Sequence, residues 1–216
     1  MRPHAITASL ALLALSACTG TKTLADPTVV VRSAGGTELG VATEYGVIFL
    51  GATRPAGSIE LESWFGDGPN IEPTVAEPVE GDLYVAETEI RLATVPMTFV
   101  EPAPGDVVVV RGRGVQGPWQ VETLVRSVPG IEGILIDLLP ELSGQGQDQT
   151  GAGVFLRDGA ESMRLLGMVS GQVEVLEGEG AGTYAAVVGP RDLWRVVVHR
   201  KDQGRRRPWV YREDTM

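Results

Sequence analysis

A hydroxyl, a carboxylate and an imidazole can together cleave an acyl bond, so their supply bounds what this 216-residue chain can do. The chain holds two histidines, His4 and His199, and one cysteine, Cys18. The stretch "QTGAGVFLRDG", Gln149 to Gly159, sets the hydroxyl of Thr150 in a glycine-rich corner before an apolar run that ends on Asp-Gly, a strong hairpin signal. A hydroxyl there needs a base within hydrogen-bond reach. Past the N-terminal region the only imidazole is His199, in "RVVVHRKD", which reads as a surface residue near a basic tail. Metal sites need clustered His, Cys or carboxylates, and the chain lacks the set for zinc. Glu174, Glu177 and Glu179 form an acidic run that reads as solvated loop carboxylates rather than a calcium site. Glu60 and Glu62 point to one side of a predicted strand, the arrangement a divergent carboxylate-pair hydrolase would need, though such a face is usually solvated. No cofactor is expected.

Gly112, Gly114 and Gly117 spell G-x-G-x-x-G after "DVVVVR", with Asp137 twenty residues further on. A dinucleotide site needs a helix to start at those glycines, with its amides toward the pyrophosphate. Pro118, Trp119 and an alternating strand follow instead, so the glycines are expected in a hairpin loop.

The elements that would position these groups are mostly short strands. "TVVVR" (28–32), "YGVIFLGA" (45–52), "SIELESWF" (58–65), "DVVVVRG" (106–112), "WQVETLV" (119–125), "GILIDLL" (133–139), "AGVFLR" (152–157), "RLLGMVSG" (164–171), "QVEVLEG" (172–178) and "TYAAVVG" (183–189) are rich in β-branched and aromatic residues and separated by Gly, Pro and Asp. That spacing argues an all-β barrel or sandwich. One helix is expected after Pro190, with Leu193, Val196 and Val197 on one face, against the poor helix propensity of the run Val196 to Val198.

Charge is uneven. From Cys18 to Gly189 there are nine basic and twenty-four acidic residues, net −15; from Pro190 to Met216 there are eight basic and four acidic, net +4. The acidic body argues against nucleic acid as a partner. The basic tail reads as a solvated terminus, or as a contact for anionic lipid or an acidic partner.

The N-terminus has the form of a secretory signal: Arg2, the apolar stretch "AITASLALLALSA", then Cys18. Leu15-Ser16-Ala17-Cys18 resembles the lipobox of bacterial lipoproteins. The resemblance implies cleavage before Cys18, lipid on its sulfur and attachment to the bilayer through the acylated cysteine. Thr19 after the cysteine, in place of aspartate, points by the same resemblance to the outer membrane, facing the periplasm, if the organism is Gram-negative. The expected division is a signal peptide over 1–17, lipidated cysteine and tether over 18–27, a β-barrel domain over 28–201 and a basic tail over 202–216.

From "APGDVVVVRGRG" through "GIEGILIDLL", "QTGAGVFLRDG", "LLGMVSGQVEV" and "TYAAVVGPRDLWRVV", the order of motifs resembles trypsin-like serine peptidases, especially the bacterial exported HtrA-like branch. The resemblance covers about Tyr45 to Val198 and is strongest from Gly133 to Gly171. It implies a double β-barrel closed by a short C-terminal helix. It places Thr150 at the nucleophile, with Gly151 and Ala152 after it and Gly153 where proline is usual. It places Thr53, in "VIFLGAT", at the histidine, and Glu87 or Glu89, beside "IRLATV", nearest the acid. With no histidine at Thr53, the chain is expected not to be an enzyme but a catalytically inactive binding or structural module that meets an envelope protein or polymer. The alternatives are an unrelated β-barrel or β-sandwich lipoprotein binding a small molecule or envelope polymer, and the divergent hydrolase.

Overall fold

The computed structural model describes residues 26–55, 57–64, 68–89, 92–137, 149–159 and 162–203. Two six-stranded antiparallel barrels follow one another along the chain. The first contains β1 (Thr28–Ser33), β2 (Gly36–Thr43), β3 (Gly46–Phe49), β4 (Ser58–Trp64), β5 (Pro69–Pro78) and β6 (Tyr84–Ala86). It closes in the order β1-β2-β3-β6-β5-β4. The second contains β7 (Val107–Gly114), β8 (Gly117–Arg126), β9 (Ile134–Asp137), β10 (Gly153–Asp158), β11 (Ser162–Val175) and β12 (Gly182–Val188), closing as β10-β11-β12-β9-β8-β7. The helix α1 (Pro190–Asp202) ends the described chain. The expected double barrel and its closing helix are both present, and the sandwich alternative falls, since closure leaves no sheet edge.

Local chemistry explains the elements. Val29, Val31, Val47, Phe49, Ile59 and Leu61 fill one core between strands of the first barrel. Val108, Val110, Val154, Leu166 and Ile136 do the same in the second. Between the barrels, Val41, Ile48 and Val85 of the first meet Val109, Phe155, Leu165 and Met168 of the second, with Leu193, Val196 and Val197 of α1 in the same cluster. The β-branched run of α1 is helical because this core buries Val196 and Val197 there, and packing overrides propensity. Pro190 occupies the first turn, where its missing N–H costs nothing.

The connection between barrels is stitched to both. Val95 N–H donates to Ala42 O (3.1 Å), Thr98 N–H to Leu165 O (2.9 Å), and Leu165 N–H to Pro96 O (2.8 Å). Ahead of β1, Asp26 accepts from Arg113 Nη2 of β7 (3.2 Å), and Arg113 lies over the Trp64 ring, 3.6 Å from its centroid. This pins the start of the first barrel to the second.

Gly112, Gly114 and Gly117 lie in the β7–β8 hairpin, where Gly114 pairs with Gly117. A Cβ on Gly112 would overlap the Trp119 ring, so close cross-strand packing explains that glycine. The predicted strands 164–171 and 172–178 are one continuous strand, β11, with a register shift between Val169 and Gly171. A bulge there lets one long strand turn across the barrel. Among the described residues no helix is long and apolar enough to cross a membrane.

Candidate functional site

Thr53 lies just past β3, in the turn Gly51 to Arg54, which is closed by Arg54 N–H donating to Gly51 O (2.8 Å). Its hydroxyl donates to Glu38 Oε1 (2.7 Å), and its backbone N–H reaches the same oxygen (3.2 Å). Ala52 N–H donates to Glu38 Oε2 (3.1 Å). Ser33 Oγ donates to Thr53 Oγ1 (2.9 Å) and accepts from Gly35 N–H (3.1 Å). A Cβ on Gly35 would overlap the Thr53 carbonyl. Glu38 itself is only 5% exposed. A buried carboxylate is tolerated when donors satisfy it, and here three donors from one turn converge on it. The result is a fixed chain of groups, Ser33 to Thr53 to Glu38.

Thr150 lies in the corner before β10. Gly151 has φ +82° and donates to Val169 O (2.8 Å), while Ala152 N–H donates to Gln149 O (2.9 Å). A Cβ on Gly151 would overlap the Leu39 carbonyl oxygen, so only glycine fits both the dihedral and the contact. Leu39 follows Glu38 directly on β2. The residue that holds Thr53 and the residue against the Thr150 corner are therefore consecutive, and the Thr53 and Thr150 segments meet on one strand. Glu38 is absent from the sequence reading, where a lone glutamate in "GGTELG" looks like a solvated hairpin charge.

The predicted acids lie elsewhere. Glu87 accepts from Arg200 Nη1 (3.2 Å), and the Glu89 backbone N–H donates to Glu72 Oε1 (2.8 Å). The last acidic residue before β6 is Asp82, two positions ahead of Tyr84; the Asp82 carbonyl oxygen would lie 3.3 Å from a Cβ on Gly51, two residues before Thr53. The signal that finds it is "GDLYVA": Tyr84 pairs with Phe49 at the end of β3, so the residues before Tyr84 run beside those after Phe49. The exposed Asp82 therefore lies beside the chain that leads into the Thr53 turn, while the carboxylate bonded to that turn is Glu38.

The remaining candidates are also placed. His199 is in the last turn of α1, with Nε2 3.6 Å from Glu77 Oε2 and 2.9 Å from Gln203 Nε2. Its neighbour Arg200 reaches Tyr45 O at the start of β3, whereas Thr53 lies past its other end. Four strand residues alone separate those ends by roughly 10 Å. Glu60 is exposed on β4, but Glu62 is buried against Arg32, whose Nε donates to it at 2.9 Å. The two carboxylates therefore do not form a free pair. Glu174 is on β11, and Glu177 and Glu179 are in the turn after it. Among the described residues no group of three His, Cys, Asp or Glu gathers as metal ligands would. Cys18 lies outside the described residues. A groove of 490 Å³ lies on the second barrel beside the start of α1, lined by Arg126, Ile131, Ile134, Arg191 and Asp192 among others, and neither Thr53 nor Thr150 lines it.

No family model matches the chain, and no curated relative matches it. Solved structures do. The protease domain of MamO from Magnetospirillum magneticum superposes with a TM-score of 0.59 at 20% identity, over 82% of this chain and 97% of that one. Kallikrein-related peptidase 10 gives 0.55 at 17% identity, over 84% and 96%. A serine endoprotease from Yersinia pestis gives 0.54 at 18% identity, over 84% and 65%. The fold is that of the trypsin-like serine proteases. The expectation that the chain is not an enzyme is overturned by this finding, because the scaffold that carries Thr53 and Thr150 is a protease scaffold in each of these structures and in two further proteases.

Proposed function

We propose that the chain is a lipid-anchored protein of the bacterial cell envelope that receives an extended segment of polypeptide where its two barrels meet, at the corner shared by Glu38, Thr53 and Gly151. The single observation that carries this reading is the junction at Glu38 and Leu39. One residue fixes the Thr53 turn through its side chain, and the next supports the Thr150 corner through its backbone. Rigid support of that kind is what a binding corner on two separate barrels requires. The likeness to serine proteases supports polypeptide as the ligand. Acyl transfer by the Thr150 hydroxyl would require a base within hydrogen-bond reach to take its proton and amide donors about 3 Å from the developing oxyanion.

The anchor is supported by Leu15-Ser16-Ala17-Cys18 and by the absence of any other cysteine. The Asp26 contact with Arg113 then fixes where the tether joins the domain.

The test uses the acylated protein in detergent with a fluorescent unfolded casein. Saturable binding, weakened by Gly151→Val at unchanged secondary structure, is the expected result. Release of fragments that Thr150→Ala abolishes would add catalysis to binding at the same corner. The absence of both binding and cleavage would overturn the reading. Cys18→Ala is expected to release the protein from membranes, and tight retention would remove the anchor.

A further inference from the structure

The helix α1 carries apolar side chains on its buried face and on one exposed flank. Leu193, Val196 and Val197 enter the interbarrel core, as one face of an amphipathic helix should. On the adjoining flank Trp194 and Val198 remain 46% and 40% exposed. Phe99 of the interbarrel connection extends the same surface at 41% exposure, and Val100 after it is 69% exposed. Phe99 meets Trp194 edge-on, with ring centroids 5.1 Å apart, and Lys201 Nζ sits 5.4 Å from the Trp194 ring. Trp194, Val198 and Lys201 follow the i, i+4, i+7 spacing of one helical stripe. Exposed apolar side chains are usually scattered singly, so this contiguous set marks a contact surface.

Charge selects the occupant. The body is strongly acidic and would be repelled by an anionic surface, yet the residues from Pro190 onward carry net +4, and Arg205, Arg206 and Arg207 follow α1 directly in the sequence. Tryptophan with lysine beside it suits the bilayer interface, where the ring lies at headgroup depth and the amine reaches phosphate. On the anchored reading, the eight Cα–Cα steps from Cys18 to the clamped Asp26 reach at most about 28 Å, so the domain stays within range of the bilayer.

We propose that the exposed flank of α1 that carries Trp194, Val198 and Lys201, with Phe99, rests on an anionic lipid surface and sets the orientation of the anchored domain. This rests on the lipid anchor, and the experiment separates the two claims. The acylated protein is reconstituted into phosphatidylcholine vesicles with and without phosphatidylglycerol. Acylation occupies Cys18, so Val198→Cys supplies the only free thiol for an environment-sensitive fluorophore. Val75→Cys on β5, exposed at 61%, serves as the control. Headgroup-level nitroxide lipid is expected to quench the label at position 198 in phosphatidylglycerol vesicles and to leave that at position 75 unquenched. Lysine near an anionic surface contributes about 1 kcal/mol, so Lys201→Gln should lower the contact equilibrium about fivefold.

Flotation of the protein with vesicles, combined with equal quenching at both positions, would overturn the membrane contact and leave the anchor standing. Failure to float would remove the anchor and this inference with it. Shielding of the label at position 198 without vesicles, relieved by ending the chain after Gln203, would overturn it in favour of the chain's own tail as the occupant.

Discussion

Glu38 and Arg200 are buried charges beyond opposite ends of β3, and they are satisfied in different ways. Glu38 takes donors from Ala52 and Thr53, fourteen and fifteen residues away in the same hairpin region. Arg200, only 3% exposed, donates to Tyr45 O (3.1 Å), Glu77 (3.3 Å) and Glu87 (3.2 Å), groups from 113 to 155 residues away. The first set shapes one turn. The second fastens the end of the chain to the barrel formed at its beginning. Sequence separation therefore sorts two similar-looking charges into different jobs. The near network positions a candidate binding corner, and the remote one holds the whole assembly together.

Breaking the remote network should cost most. Arg200→Met keeps the bulk of the side chain but leaves Tyr45 O without this donor and the two carboxylates without their cation. Glu77 and Glu87 are partly exposed and can regain water, which limits the loss to about 2–4 kcal/mol. A lower urea midpoint at unchanged m-value would show it. An unchanged midpoint would mean that α1 is held by its apolar face alone.

The corner comes next. Gly151→Ala puts a Cβ into the Leu39 carbonyl at φ +82°, which should cost about 1–3 kcal/mol. The same substitution at Gly159, also at positive φ (+81°) but with open space around it, should cost less. The difference between the two melting temperatures isolates the contact between barrels from the dihedral. Equal losses would mean that the Leu39 contact contributes nothing.

Glu38→Gln sharpens the local side. The amide keeps the shape but can accept at only one atom, and its NH₂ group faces N–H donors. The expected loss is about 1–2 kcal/mol. Hydrogen exchange should rise at Ala52 and Thr53 while β10 amides keep their protection. Uniform acceleration through both barrels would show that Glu38 is a global tie like Arg200.

The two barrels also differ in how much of them was legible. Every strand of the second barrel shows as a β-branched run, and only the unity of β11 was missed, because Gly171 at its bulge looks like a break. In the first barrel β2, β5 and β6 were not found. "GTELGVAT" is diluted by two glycines. "PNIEPTVAEP" carries three prolines, which ordinarily argue against a strand. β6 is three residues long, too short for any period to appear. The site inherits that difference. Thr53 and Thr150 are adjacent to legible strands, so the resemblance could assign them positions. Glu38 is on β2 and Asp82 just before β6, and neither has meaning until those strands are paired.

The smallest effect is expected at an exposed arginine, which gives the buried one its reference. Arg126 of β8 makes two bonds to Asp137 of β9, both at 2.7 Å, with each side chain substantially exposed. The hydrogen bonds to Asp137, and then its charge, raise the Arg126 pKa above its ordinary value. A raised pKa on a cation contributes stability that is present below the unfolded value and lost only as pH climbs through the folded one. For arginine that window lies far above neutrality, so its titration adds no slope between about pH 5 and about pH 9. Arg126→Gln should therefore lower the melting temperature slightly and by the same amount at both pH values. The deficit should shrink in high salt, where exposed charges are screened. The Arg200→Met deficit should shrink less in the same salt, because the Arg200 side chain is buried and one of its bonds is to the uncharged Tyr45 O. If both deficits respond to salt alike, Arg200 is not sealed from solvent, and the contrast between the two ends of β3 loses its physical basis.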